Sequence, residues 1–548
     1  MWYRNLFFIG SLLAGLGAVS GGLLQPNRLE KRLAATVIPE PGEIRSIVDA
    51  VDKEFEEYWQ GLELQTAQAA PSYTIMRRLS LGLTGTIPSL EELRGLDAID
   101  GASALERWLE YLLADRRSSD YLAERYARAL VGADQGPFIV FRRRRFVSWL
   151  SDQFQANVHY DELVRQLIEG EGIWTSSPAV NFLTVTVNPE KENQPDPVVI
   201  TGHLSRALLG VRVDCLECHN DRLGSMVLGS AEEPRGGTQQ DFHQLAAYFG
   251  EVENSVLGIR DNADLEYRYK YLDSTETLIV APRVPFLESL VDGRGRRRQQ
   301  LARWMTHPGN RPFARTAVNR AWAILFGRPL VEPIDDIPLQ GEFPPGLEAL
   351  AIDFIEHDYD LRRLIRVISS LRVFRMESRA EFEVTASHEQ NWAVFPLTRL
   401  RPEQMAGGIS QSASLGTINS EAHFVRKMAR IIDQGAFLVR YGDQGRDEFE
   451  QRAGTVTQRL LMMNGDLLRR RTVANPLFNG ATHIAQLAEN EQQAVRTAYL
   501  CVLTREPVER EMMHFQSRLE QAPVDQYQQA LEDLYWALLN STEFSWNH

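Results

Sequence analysis

The sequence predicts a mainly α protein, with two helical lobes joined by a short β hairpin element. Apolar residues recur at i, i+3, i+4 and i+7 in segment after segment on both sides of the chain's middle, which is the spacing of one helix face. Alternation rich in β-branched residues is confined to "YRYKYLDSTETLIVAPRV" (267–284), which reads as a short hairpin and the natural domain boundary. At 548 residues the chain is too long for one compact core, so more than one domain is expected.

The first element is a targeting segment. "MWYRN" carries one positive charge, and Leu6 to Leu24 are uncharged, with small residues at Ala18 and Ser20. That is the layout of a signal peptide, cleaved near Ser20, or of an uncleaved N-terminal anchor just long enough to span a bilayer. In either case the rest of the chain is exported to the periplasm or cell envelope, and any membrane contact runs through residues 1–24 alone. No later uncharged run matches it in length. Residues 25–42 read as a polar linker.

Helices follow from Glu43, where Ile44, Ile47, Val48, Val51 and Phe55 share a face. "TIMRRLSLGLTGTIPSLEELRGL" reads as helix, turn, helix, with Gly85 as the stop and Ser89 as the cap of the second helix. Further helices are expected at 104–115, 118–132, 142–156, 160–169, 197–213 and 238–252. Residues 43–255 form the first lobe, 256–295 the linker with the β element, and 296–548 the second lobe. In the second, helices are expected at 296–306, 311–326, 358–370, 401–413, 455–463, 490–503 and 508–520.

Composition narrows the function. A net charge of −14 argues against nucleic acid as the main partner. The basic runs "FRRRRF" (141–146) and "DGRGRRRQQ" (292–300) read as solvated faces or turns. The chain has only three cysteines, yet "VRVDCLECHNDRL" (211–223) holds two of them, with a histidine directly after the second. Cys215-Leu-Glu-Cys218-His219 is the c-type haem attachment pattern, in which two thiols reach the two vinyl groups and the adjacent histidine reaches the iron. An exported chain suits it, because that haem is attached outside the cytoplasm. The competing readings are a zinc half-site, a redox dithiol, a strained disulfide and coincidence. Zinc wants four ligands, and the remaining cysteine, Cys501, is far away in sequence. A thioredoxin-type dithiol wants an alternating βα pattern that is absent here.

The chain resembles a group of exported planctomycete and verrucomicrobial proteins that join a cytochrome c-associated domain to a second domain of unknown function. "RRLSLGLTGTIPSLEEL", "YLAERYARALVGAD", "HYDELVRQLIEGEG", "ALLGVRVDCLECHN" and "DFHQLAAYF" carry the first part of the likeness. "RRQQLARWMTHPGNRPFARTAVNRAWAILFGRPLVEPIDDI", "RLRPEQMAGGIS", "QRLLMMNGDLL" and "AYLCVLTREPVEREM" carry the second. The resemblance implies a haem-linked cell-envelope protein working with another exported protein or redox partner; it implies no particular activity. Two features depart from the pattern. No additional cytochrome-like domain precedes residue 40, and Asp221 stands where the family commonly has a second histidine.

The expected cofactor is haem c on Cys215 and Cys218, with His219 as proximal iron ligand. For the opposite face of the iron an open or water-occupied position is expected first, then His243, then Met226; His203 is a further histidine nearby in sequence. Each has a plainer role: Met226 as loop packing, His243 as a first-turn surface residue (the family usually has an aromatic there), and His203 as a helix-face residue. Asp335 and Asp336 read as turn or cap residues, and Trp304 and Trp322 as core aromatics. Asn319 and Arg320 lie in an apolar helix, and for Arg320, as for Arg125 and Arg128, an acid of the opposite lobe is expected as partner ahead of a haem propionate. An electron carrier, a haem enzyme with an open site, and a scaffold with a structural haem remain the functional classes. The enzyme or docking roles gain weight because a carrier alone needs only about a hundred residues.

Overall fold

The structure is a computed structural model that describes residues 33, 35–38, 40, 42–98, 103–133, 141–187, 193–221, 226–229, 233–418, 437, 441, 449, 455–473 and 479–548. The signal or anchor segment and most of the linker lie outside the described residues. Helices dominate, and the strands form small two-stranded antiparallel ladders. The fold is therefore mainly α, as the periodicity predicts.

Element by element the sequence rules hold closely. The first helix spans Gly42–Gly61 and buries Val51, Phe55 and Trp59. Helix Ser72–Thr84 stops at Gly85 in the left-handed conformation (φ 64), where a Cβ would come within 2.5 Å of the Tyr121 ring. Ser89 caps Leu90–Asp97 in a reciprocal capping box with Glu92. Arg116–Val131, Arg143–Gln155 and Tyr160–Glu169 follow at the expected places. The hairpin is present as Arg268–Tyr269 paired with Leu278–Ile279, and a second one, Val252–Ser255 with Gly258–Asp261, precedes it.

The two helical lobes expected from the sequence share one core. A single buried cluster runs from Leu33 to Phe544. Helix Arg311–Phe326, from the second half, is buried along nearly its whole length and packs on Ser72–Thr84 of the first half as well as on Leu347–Glu356. Buried polar ties reinforce this. Arg78 donates to the carbonyls of Phe374, Met376 and His548, and its guanidinium lies 3.5 Å from the centre of the Phe395 ring. Arg125 pairs with Glu403 at 2.9 Å, an acid of the opposite half, as expected for it. Arg128 pairs with Glu124 on its own helix, and its charge also acts on Glu403. Asn319, fully buried, exchanges hydrogen bonds with the Val331 backbone. The lobes fail to separate because both halves bring apolar surface that no sequence-local partner covers; each covers the other's.

Candidate haem-attachment turn

The segment leading to the cysteines departs from the continuous helix expected over 197–213. Helix Pro197–Leu204 widens into a π-helical turn, Ser205–Leu209, and stops at Gly210 (φ 64). A side chain at Gly210 would come within 2.7 Å of the Thr316 hydroxyl, and its carbonyl accepts the Ile337 N–H at 2.7 Å. The chain end entering the site is thus pinned to the second half of the protein.

A 3₁₀ turn, Val213–Glu217, then carries the motif. With three residues per turn, positions i and i+3 eclipse. Val213 and Leu216 therefore point inward together and are buried, while Cys215 and Cys218 point outward together and are exposed, unlinked thiols. His219 is exposed beside them, and its Nδ1 lies 3.0 Å from the Asn220 carbonyl. A carbonyl only accepts, so Nδ1 carries the proton in the neutral ring and Nε2 presents a bare lone pair, the form that binds a metal.

Behind the turn, three donors converge on the Glu217 carbonyl: His243 Nε2 at 3.0 Å, Gln239 Nε2 at 2.9 Å and the Tyr269 hydroxyl at 3.2 Å. Helix Gln239–Ala246 supplies the first two and is itself held by a Thr238–Asp241 capping box, with Arg235 on Asp241. Because His243 Nε2 donates, Nδ1 accepts, and the Tyr267 hydroxyl donates to it at 2.8 Å. The imidazole stacks on Tyr269, centroids 3.4 Å apart. His243 is fully buried rather than a surface residue, and burial holds its pKa below the usual value. Both ring nitrogens are engaged, so His243 serves this turn as a clamp. Met226 is also fixed: its side chain is buried, its N–H donates to Asp221 Oδ2 at 2.7 Å, and its carbonyl accepts from Gly237. The Asp221 carboxylate thus ties the backbone beyond the motif. His203 is half-buried, with Asp214 and Arg206 as charged neighbours.

The electrostatics bear on the alternatives. Partial desolvation against the turn, and then Asp221 and Asp214, push the exposed Cys215 thiol up, which keeps it protonated; a redox dithiol needs the reverse. Among the described residues no group of three or more His, Cys, Asp or Glu side chains is assembled to hold a metal ion. Zinc would need such a set, whereas a porphyrin brings four nitrogens of its own and asks one of the protein. Two thiols on one edge and a histidine with a free Nε2 are residues that could hold a covalently attached haem.

Asp335, expected as a turn residue, accepts from Arg212 at 2.6 Å and Arg206 at 3.2 Å, and Arg206 also pairs with Asp214. The neighbouring Asp336 N–H closes a turn on Pro333. Sequence reasoning missed the tyrosines of the clamp, although "YRYKY" places Tyr267, Tyr269 and Tyr271 on one side of a strand. A surface cleft of about 420 Å³ beside Trp149, Glu162 and Glu169 lies on other elements.

Fold and site define a mainly α protein with a solvent-facing CxxCH turn clamped from behind by a His–Tyr cluster. Residues 50–254 match the model of a family described as PSCyt2, a protein of unknown function (DUF1549), and residues 297–430 that of PSD1, a protein of unknown function (DUF1553). The chain thus carries two domains of unknown function in that order. No curated protein and no solved structure matches it.

Proposed function

We propose that this chain is an exported c-type haem protein of the cell envelope, of the planctomycete and verrucomicrobial kind its sequence resembles, with a redox or haem-dependent role. The observation that carries the reading is the 3₁₀ turn, which turns CxxC spacing into two outward, unlinked thiols beside a histidine whose Nε2 is bare. Cys215 and Cys218 would hold the porphyrin through their sulfurs, and His219 would be the proximal ligand. His243, Tyr267 and Tyr269 fix the backbone between the thiols, and Asp221 fixes it beyond His219. A haem held there supplies a one-electron iron couple. The engagement of both His243 nitrogens supports an open or water-occupied sixth position. The uncharged run Leu6–Leu24 supports export. Among the described residues no helix is long and apolar enough to cross a membrane.

The test is production in the periplasm of a host with haem-maturation machinery. The protein should be red, keep its haem on a denaturing gel, and bind carbon monoxide in the ferrous state. Cys215→Ala and Cys218→Ala should each weaken attachment, while Cys501→Ala, a buried thiol beside Tyr535, leaves it intact. A colourless protein with stoichiometric zinc would refute the haem reading. A low-spin ferrous haem inert to carbon monoxide would refute the open position.

A further inference from the structure

The haem reading leaves a surface unexplained. Beside the cysteine turn, exposed large apolar side chains stand on short β ladders and on the turn that joins two of their strands. Leu272 is 71% exposed, and its N–H donates to the side-chain oxygen of Gln239, the residue whose amide holds the Glu217 carbonyl. Leu278, 45% exposed, pairs with Tyr269 across the ladder and so shares its face, and Tyr269 reaches the same carbonyl; the next residue, Ile279, points to the opposite face. On the other side, Val227 is 50% exposed next to Met226, which is tied to Asp221. Apolar side chains therefore flank the CxxCH turn on two sides.

The charges around them are mixed but leave an acidic surplus. Ion pairs on this face close on themselves: Arg260 with Glu253, Arg268 with Glu266, Arg283 with Glu288. Glu217, Asp264, Asp273 and Glu276 are in no such pair, against Lys270 as the basic counterpart on this face among the described residues. The surplus is acidic, and a second copy of the same face would meet it with like charge.

We propose that this face docks a redox protein whose own contact surface is basic at the rim and apolar at the centre, bringing its redox group to the edge of the cysteine turn. The assignment rests on the haem reading for its purpose, but not for its contacts, which belong to the polypeptide. Acidic rim charges would steer the encounter, and Leu272 and Leu278 would supply the dry centre.

The probes are a lysine-rich mono-haem cytochrome c and, as control, an acidic one, titrated onto the purified full chain by calorimetry. Binding of the lysine-rich probe is expected, weakening about tenfold between ~20 and ~200 mM salt as screening shortens the reach of the rim charges. Leu272→Ser combined with Leu278→Ser should weaken it at least about fivefold, with the melting temperature unchanged. Val524→Ser, at a 97% exposed site in the turn before helix Tyr527–Leu539, should change nothing. Equal binding of the acidic probe, wild-type affinity in the leucine variant, or a dimer closed over Leu272 in sedimentation would overturn the proposal. The Cys215→Ala/Cys218→Ala chain separates the two readings. If it binds the probe while the wild type proves haem-free, the face stands and the haem reading falls. If haem is present and no probe binds, the face falls alone.

Discussion

Replacing His243 by alanine tests how the cysteine turn is held. The imidazole is fully buried, donates to the Glu217 carbonyl and accepts from Tyr267. Two buried hydrogen bonds contribute about 1 kcal/mol each, and leaving the Tyr267 hydroxyl without its acceptor adds about 1 kcal/mol more. Loss of the ring stacked on Tyr269 brings the total to roughly 3–4 kcal/mol. Gln239 and Tyr269 still hold the carbonyl, so the turn should loosen without collapsing. His243→Gln, which keeps an N–H donor, should lose about half as much. Urea unfolding followed by tryptophan fluorescence gives the stability, and hydrogen exchange at 211–221 localises the loss. On haem-loaded protein the optical spectrum should stay as in the wild type. A stability loss below about 1 kcal/mol would show that the clamp contributes little. A switch from low to high spin would show that His243 was an iron ligand and the clamp geometry is wrong.

Three further outcomes are expected. Arg78→Ala strands the buried carbonyls of Phe374 and Met376 and frees the half-buried His548 oxygen, so it should destabilise by about 3 kcal/mol in urea, with Arg78→Lys recovering only part. Trypsin should cut first after Arg268, exposed on a two-residue ladder, or Lys270, exposed just beyond it, yet the fragments should co-elute in gel filtration because the core is shared; fragments that separate without denaturant would refute the shared core. Stability should be full above pH 6.5 and fall toward pH 4, since burial pushes His203, His243 and His548 below 6.5, His548 to about 4. In that window the unfolded chain takes up protons the folded one refuses, so the sign is loss with falling pH; a melting temperature constant from pH 7 to about 4 would refute it.

Much of the fold was legible because helical spacing is a local signal. Arg311–Phe326 and Tyr160–Glu169 are found at the predicted residues. Leu347–Glu356 and Tyr527–Leu539 lie outside the helices expected from the sequence, although Leu347, Leu350, Ala351 and Phe354, and Leu531, Leu534, Tyr535 and Leu538, have the same spacing. The shared core was not legible. Spacing says that a face is apolar but not which face it meets, and Arg311–Phe326, buried almost all round, meets both halves.

The site divides along the same line. Thiol spacing is a statement about one turn, so Cys215, Cys218 and His219 could be placed together from sequence alone. What holds that turn is non-local: Gln239, His243 and Tyr269 lie 22, 26 and 52 residues from the carbonyl they share. Nothing at position 217 advertises this, because the acceptor is a backbone oxygen that every residue has. His243 looked available as an iron ligand for the same reason, since a histidine's partners are invisible until the fold supplies them. The cue that did exist was chemical. Three tyrosines at alternate positions in "YRYKY" are more aromatic surface than a two-residue ladder can bury by itself, and they gain cover by packing on a neighbour with an acceptor to offer. Tyr267 and Tyr269 find that neighbour in His243 and Glu217, which is why the β element, sited as a mere linker between helical lobes, forms one wall of the cysteine turn.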